Sequence, residues 1–296
     1  MIGSGDLSPP GAEVAVAAPP ARGQLAPWRL LLRRPTLIAG AAILLFWVAC
    51  ALLGSAIAPH DPLAQQLLAT NAGPSGAHWL GTDQLGRDVL SRVIAGARSI
   101  LLIAVAATVL GTLLGTALGL VMGYFGGVID MLASRLVEAV LALPVVIVAF
   151  LFIVALGPST ATLVVVIGIV FAPLIARTVR SAVLVESQLD YLSAARLLGE
   201  KPAHIMAVEI LPNVVPAVLV EFTVRLGYAI FTVATLSFLG FGVQPPTPDW
   251  GADIAANYGV LAAGYWWETL FPALAIASLI VAVNLVTDSV EQVLAS

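Results

Sequence analysis

Glu221 and Arg225 stand four residues apart within a long apolar run, a spacing that lets a carboxylate and a guanidinium meet on one helix face. Charges at membrane depth are costly, so these two are expected to pair with each other or to face a water-filled cavity or a neighbouring protein. Asp83, Arg87 and Asp88 form a second charged cluster in a polar stretch near residue 80. The remaining inventory argues against catalysis. The three histidines, His60, His78 and His204, are scattered with no second ligand at metal spacing, so a catalytic zinc site has no support. Lys201 is the only lysine, and no Gly-x-x-x-x-Gly-Lys-Ser/Thr string exists to cradle a phosphate. The single cysteine, Cys50, lies in an apolar run and reads as a small buried hydrophobe. No catalytic residue, cofactor or metal ligand is expected, and the chain reads as a non-enzyme.

A third polar segment is built for docking. Tyr191-Leu192-Ser193-Ala194-Ala195-Arg196-Leu197-Leu198-Gly199 interrupts the apolar runs and is followed by Leu211-Pro212-Asn213. Asp190 or Ser187 is expected to cap a short helix through its side-chain oxygen. On that helix Tyr191, Ala194, Ala195 and Leu198 fall at i, i+3, i+4 and i+7, giving one apolar face with room for close approach. Gly199 can take the left-handed conformation that ends a helix, and Pro202 suits the first turn of the next. The expected product is a helix–turn–helix lying across the ends of two spans.

Composition sets what must hold these segments. Sixty per cent of the 296 residues are apolar and 10% are charged, with a mean hydropathy of +1.02. Soluble domains carry about 25% charged residues, so lipid must be the main solvent. Runs long enough to cross a bilayer fall at 36–58, 99–123, 136–156, 161–183, 214–241 and 269–289. Gly111, Gly115 and Gly119 make small-xxx-small steps suited to tight helix packing. The first run exceeds a signal-peptide core and is expected to stay uncleaved. Residues 1–30, rich in Pro, Gly and Ala, read as a disordered cytoplasmic leader. Residues 31–98 read as the first span plus an external loop with an amphipathic helix, and 99–296 as a five-helix core with the polar docking loop at 187–213. With both termini cytoplasmic, nine basic residues lie inside (Arg22, Arg29, Arg33, Arg34, Arg135, Arg177, Arg180, Arg196 and Lys201) against three outside (Arg87, Arg92 and Arg98). That asymmetry satisfies the positive-inside rule.

The segment from Tyr191 to Gly199, closed by Leu211-Pro212-Asn213, resembles the cytoplasmic coupling loop of ABC importer permeases. Ser193 stands where that family usually has glutamate. Two further strings narrow the resemblance. His78-Trp79-Leu80-Gly81-Thr82-Asp83-Gln84-Leu85-Gly86-Arg87-Asp88 resembles the Leu-Gly-Thr-Asp-x-x-Gly-Arg-Asp string of C-type subunits in the dipeptide/oligopeptide/nickel permease family. Asp83 is expected to cap an amphipathic helix beginning near Leu85 and lying on the outer membrane surface, in contact with a sister permease or a binding protein. Leu236-Ser237-Phe238-Leu239-Gly240-Phe241-Gly242, running on to Trp250-Gly251 and then Trp266-Trp267, is similar to a string of the same subfamily. Trp250, Trp266 and Trp267 suit the interfacial aromatic belt.

The resemblance implies an all-α membrane protein with six transmembrane helices and a cytoplasmic coupling helix, the type I ABC importer permease fold. It implies a subunit in a bacterial or archaeal inner membrane that imports dipeptides or oligopeptides. Nickel chelates and glutathione are alternatives within the family. Implied partners are a homologous permease, two ATPase subunits or domains that bind ATP and magnesium, and an extracytoplasmic binding protein; no nucleic acid is implied. Asp190, Tyr191, Ser193, Ala194, Ala195, Leu198, Gly199 and Pro212 would serve ATPase coupling, and Gly81, Thr82, Asp83, Gly86, Arg87 and Asp88 an external surface. A stand-alone secondary transporter would need inverted repeats and broken helices around a midplane ion site, and neither is legible.

Overall fold

The computed structural model describes residues 35–294. The expected leader and its four arginines lie outside the described residues. In chain order the helices are α1 (Pro35–Ile57), α2 (Val89–Phe125), α3 (Gly127–Leu141), α4 (Val145–Leu156), α5 (Thr160–Glu186), α6 (Asp190–Leu197), the single turn α7 (Pro202–His204), α8 (Leu211–Phe238), α9 (Trp250–Asn257) and α10 (Trp267–Leu294). The described residues contain no strand, only an isolated antiparallel bridge between Thr82 and Asp88.

Five helical runs are long and apolar enough to cross a membrane, and α3 with α4 supplies a sixth if taken as one bent span. The third span expected at 136–156 is therefore not straight. Its two pieces meet at 87° around Ala142-Leu143-Pro144. Pro144 has no N–H to donate and disfavours the helical conformation of Leu143, which breaks the run.

The second span is longer than the sequence pattern implied. Its 37 residues rise about 55 Å, well beyond the ~30 Å hydrocarbon core. The excess length lets the helix continue beyond the apolar layer, and its first turns, from Val89, carry the buried polar side chains Ser91 and Arg92. The separate amphipathic helix expected near Leu85 is absent, because the Leu85–Asp88 stretch is a tight turn and the helix opens at Val89. The fifth span also starts early: helix runs from Pro202 through a wide turn at Ile205–Ile210 into α8.

The centre of the bundle is the α2–α5 pair, which runs parallel. Gly111, Gly115, Gly119 and Gly123 line one edge of α2. A Cβ on Gly115 would lie 2.6 Å from the Cβ of Ile175 and 2.7 Å from the Ala172 carbonyl, and one on Gly119 would lie 2.7 Å from the Cβ of Val179. Small residues thus bring the two backbones together where lipid offers no hydrophobic driving force. Around this pair, α1 packs on α2 and α10, and α8 packs on α2, α5 and α10. Trp47 on α1 donates from Nε1 to Ser278 Oγ on α10 at 2.9 Å. Large apolar side chains such as Leu52, Leu113 and Leu151 remain exposed on the outside of the bundle, as lipid contact requires.

Candidate functional site

Two polar constellations lie at opposite ends of α2. At one end α6 hangs between α5 and the helix run leading into α8. The helix begins at Leu189 without a side-chain cap, so neither Asp190 nor Ser187 plays the expected role. Asp190 sits in the first turn, where its charge favours the helix N-terminus. Gly199 has φ +77° and ends the segment as expected, and Pro202 occupies the first turn of α7.

The four positions of the expected apolar face do not share one environment. Leu192 and Ala195 are buried, whereas Ser193, Ala194 and Gly199 are exposed. Tyr191 and Leu198 are 38% and 81% exposed, and Leu197 is 88% exposed. Of the i, i+3, i+4, i+7 set only Ala195 is buried, while Tyr191, Ala194 and Leu198 are exposed and open to a partner. Helix α6 ends at Leu197, so Leu198 turns outward with Leu197 as an apolar tip. Arg196 lies 5.1 Å above the ring of Tyr124 at the end of α2, which anchors the segment to the central pair.

Asn213 ties the ends together. Its Nδ2 donates to Glu186 Oε1, to the Tyr191 hydroxyl and to the Glu209 carbonyl, each at 2.9 Å. The Tyr191 hydroxyl also donates to Glu186. One residue each from α5, α6 and α8 thereby forms a latch. Pro212, with no N–H and a ring that crowds the carbonyl four residues back, accounts for the wide turn just before it, where Leu211 N–H bonds to Met206 O. Glu186 was not legible as a member, because nothing in its local spacing marks it.

At the other end, the expected external-surface residues turn inward. Gly81, Thr82, Asp83, Gly86 and Asp88 are buried and Arg87 is half-buried, because the loop's polar groups satisfy one another. Asp83 accepts from the Leu85 and Arg87 amides at 2.9 Å and from Arg87 Nε at 2.6 Å, which closes a turn rather than capping a helix. The cap of α2 is Asp88, whose Oδ2 accepts from the Ser91 amide at 2.8 Å and hydroxyl at 2.7 Å. Its Oδ1 faces His78 Nδ1 at 2.8 Å. Burial pushes the Asp88 carboxyl up, but the hydrogen bonds from Ser91 and His78 outweigh it and hold it below the ordinary carboxylate value. At Gly86 the φ is +71°, and a Cβ would fall 2.0 Å from the Gln66 carbonyl, so only glycine fits.

This loop is clamped to the segment between α8 and α10. Trp267 Nε1 donates to the Thr82 carbonyl at 3.1 Å, and Gln84 Nε2 to the Ala256 carbonyl at 2.9 Å. Arg92 forms a buried ion pair with Asp253, and Trp250 Nε1 donates to the Val93 carbonyl at 2.8 Å. Trp250 and Trp267 are therefore buried clamp residues and not members of an interfacial belt; of the three tryptophans only Trp266, at 47%, is exposed. Among the described residues two groups have metal-ligand chemistry at close range: His60 with His78 and Asp88, and Glu200 with His204 and Glu209. Folding has brought together two histidines that look unrelated in the sequence.

The charged pair inside the membrane is closed on itself. Arg225 reaches Glu221 Oε1 at 2.5 Å, and Thr178 on α5 donates to Glu221 Oε2 at 3.3 Å.

Comparison with known proteins agrees with this architecture. Residues 115–296 match the family described as binding-protein-dependent transport system inner membrane component, and residues 22–74 match the N-terminal TM domain of oligopeptide transport permease C. The chain is 37% identical over 269 residues to the dipeptide transport system permease protein of Bacillus subtilis, covering 90% of this chain and 83% of that one. It is 37% identical over 273 residues to a di/tripeptide transport system permease protein of Pseudomonas aeruginosa, covering 90% of each. It is 36% identical over 271 residues to a glutathione transport system permease protein of Pectobacterium atrosepticum, covering 90% of this chain and 89% of that one. Such subunits span the membrane several times and work with ATPases that bind the ATP and with binding proteins that deliver substrate. The chain belongs to the binding-protein-dependent inner membrane transport components, the permease subunits of ABC importers.

Proposed function

We propose that this subunit forms half of the translocation path of an ATP-driven importer of dipeptides and short oligopeptides. It pairs with a homologous but different permease, two ATPase subunits or domains engage it from the cytoplasm, and an extracytoplasmic binding protein loads it. Both termini face the cytoplasm, an orientation favoured by the nine-to-three excess of basic residues at the coupling end. The observation that carries the proposal is α6, an amphipathic helix latched to two spans with Leu197 and Leu198 exposed at its tip. ATP-driven closure of the ATPases would draw this segment inward through Leu197, Leu198 and the small Ala194. Ala195, packed against the bundle, and Gly199 and Pro212, which shape the turns, would pass the motion to α5 and α8. Asp190, Tyr191 and Ser193 complete the segment.

Peptide is the preferred cargo because the dipeptide and di/tripeptide relatives match along nearly the whole chain. Glutathione, itself a tripeptide, is the second reading, favoured by the glutathione relatives. The test is purification from native membranes in mild detergent, followed by uptake into liposomes. ATP-dependent uptake of labelled dipeptide by a complex containing a second permease and P-loop ATPases supports the reading. Uptake by this chain alone, driven by an ion gradient, overturns it.

A further inference from the structure

We propose that His60, His78 and Asp88 form a binding site for a single zinc-like divalent ion, which bolts the end of α1 to the start of α2 on the side opposite the coupling helix. The three candidate ligand atoms are His60 Nδ1, His78 Nδ1 and Asp88 Oδ1. Both nitrogens approach the same carboxylate oxygen, at 3.6 Å and 2.8 Å, and all three atoms lie within 4.8 Å of one another. Zinc bonds of about 2.0–2.1 Å in tetrahedral geometry put ligand atoms about 3.3 Å apart. The two edges to Asp88 bracket that value, and the histidine-to-histidine edge, within 4.8 Å, would close on the ion by rotation of the half-exposed His60 ring.

Three features make this more than proximity. His60 Nδ1 is buried and has no hydrogen-bond partner, which is rare for a buried ring nitrogen. The backbone that carries it is held in place, since the His60 amide donates to Ser91 Oγ at 3.0 Å. Asp88 divides its labour: Oδ2 caps α2, leaving Oδ1 to the histidines. An ion here would take Oδ1 without disturbing the cap.

Ligation by His78 requires only that its neutral ring carry the proton on Nε2, because Nδ1 must offer its lone pair to the metal. A pocket of about 330 Å³ lined by Pro59, His60, Gly76, Ala77, Trp79 and Asp88 opens onto the group. It gives the ion an entry path and room for a water as fourth ligand. The role is mechanical. Residues 58–88 join two spans with little helix, and a metal staple at their ends would hold the external clamp against the pull of a docking partner.

The experiment uses the full chain in lipid nanodiscs with its affinity tag removed, and Zn²⁺ as the probe. Equilibrium dialysis with elemental analysis should find one zinc per chain. X-ray absorption should show two imidazole nitrogens among its neighbours. His60→Ala should weaken binding by more than about tenfold and abolish the zinc-induced rise in melting temperature. It should lower the zinc-free melting temperature only slightly, since the His60 ring there packs on the His78 ring with centroids 4.8 Å apart while its Nδ1 makes no hydrogen bond. His204→Ala, in the other group of potential ligands, should change nothing. Zinc binding that survives both His60→Ala and His60→Gln, or that disappears with His204→Ala, overturns the proposal, as does an absence of stoichiometric binding by the unaltered chain.

Discussion

The indole of Trp250 fills the space that a side chain on residue 96 would need. A Cβ on Gly96 would sit 2.6 Å from Cδ1 and 2.7 Å from Nε1 of that ring. The same Nε1 donates to the carbonyl of Val93, one turn earlier on α2, and Trp47 on α1 meets the indole edge-on at 4.7 Å. The N-terminal part of α2 is thus keyed to α9 by one buried side chain and one missing one. Trp250→Phe keeps most of the bulk but removes the Nε1–H that donates to the Val93 carbonyl, costing about 0.5–1.5 kcal/mol. Gly96→Val should cost more, since it forces the ring out of its slot. Thermal unfolding of the purified chain should rank the melting temperatures wild type, Trp250→Phe, Gly96→Val from highest to lowest. Equal melting of all three would remove the key.

Asp88 makes the clamp sensitive to acid. Its folded-state value lies below its ordinary one, which for an unfolded aspartate is about 3.9. The stabilisation is therefore fully present above that unfolded value and is lost as pH falls through the lower folded value. Asp249, whose carboxyl burial pushes up, has the opposite sign, so the readout must be a difference between variants. In metal-free buffer Asp88→Ala should cost about 1–2 kcal/mol at neutral pH as the cap is lost. Its deficit against wild type should shrink below about pH 4. A deficit that stays constant with pH would assign the cost to packing alone.

Coupling should fail before folding does. Gly199 sits at φ +77° with open space around its Cα, and its amide donates to the Arg196 carbonyl at 3.1 Å. Proline at 199 can supply neither the dihedral nor the donor. Ala195→Arg would push a charged chain into the packed side of α6, and Tyr191→Phe would remove the hydroxyl from the latch. With membrane levels unchanged, the first two substitutions should abolish ATP-dependent uptake, and Tyr191→Phe should reduce it severalfold. Near-normal uptake by Gly199→Pro would show that motion does not pass through this turn.

Elements governed by long-range composition were legible, and those governed by local competition were not. Apolar length located α1, α5 and α10 to within a few residues, because lipid imposes the same requirement on each span. It read the third span as one straight helix because hydropathy does not register the loss of one N–H at Pro144. In the loop at 80–88 the spacing singled out residues that fold together, but in a buried setting and not on an exposed surface. Asp83, Arg87 and Asp88 look like a solvated surface until Trp267, Gln84 and Arg92 are seen to draw that loop onto the segment before α10. His60 and His78, 18 positions apart, could meet only through that same closure. On α6 the helical period gathered Tyr191, Ala194, Ala195 and Leu198 onto one face, but only Ala195 is buried, because the bundle meets this helix along the edge carrying Leu192 and Ala195.

Glu221 and Arg225 allow the two readings of a charge inside the membrane to be separated. Glu221 is 8% exposed, and both its oxygens are engaged, one by Arg225 and the other by Thr178 of α5. The Arg225 guanidinium also stacks 5.5 Å from the Tyr228 ring centroid. That geometry is what a self-neutralised pair joining α8 to α5 requires. Glu221→Ala would then leave a guanidinium uncompensated, and Arg225→Ala a buried carboxylate. Each should cost about 2.5–3.5 kcal/mol on insertion scales and lower the amount of folded chain in the membrane. Removing both charges removes both penalties, so the double variant should recover most of that amount. Its uptake per molecule should match the wild type, because a structural pair contributes nothing to cargo passage. A double variant restored in amount but inactive in uptake would instead place the pair's charge in the translocation path.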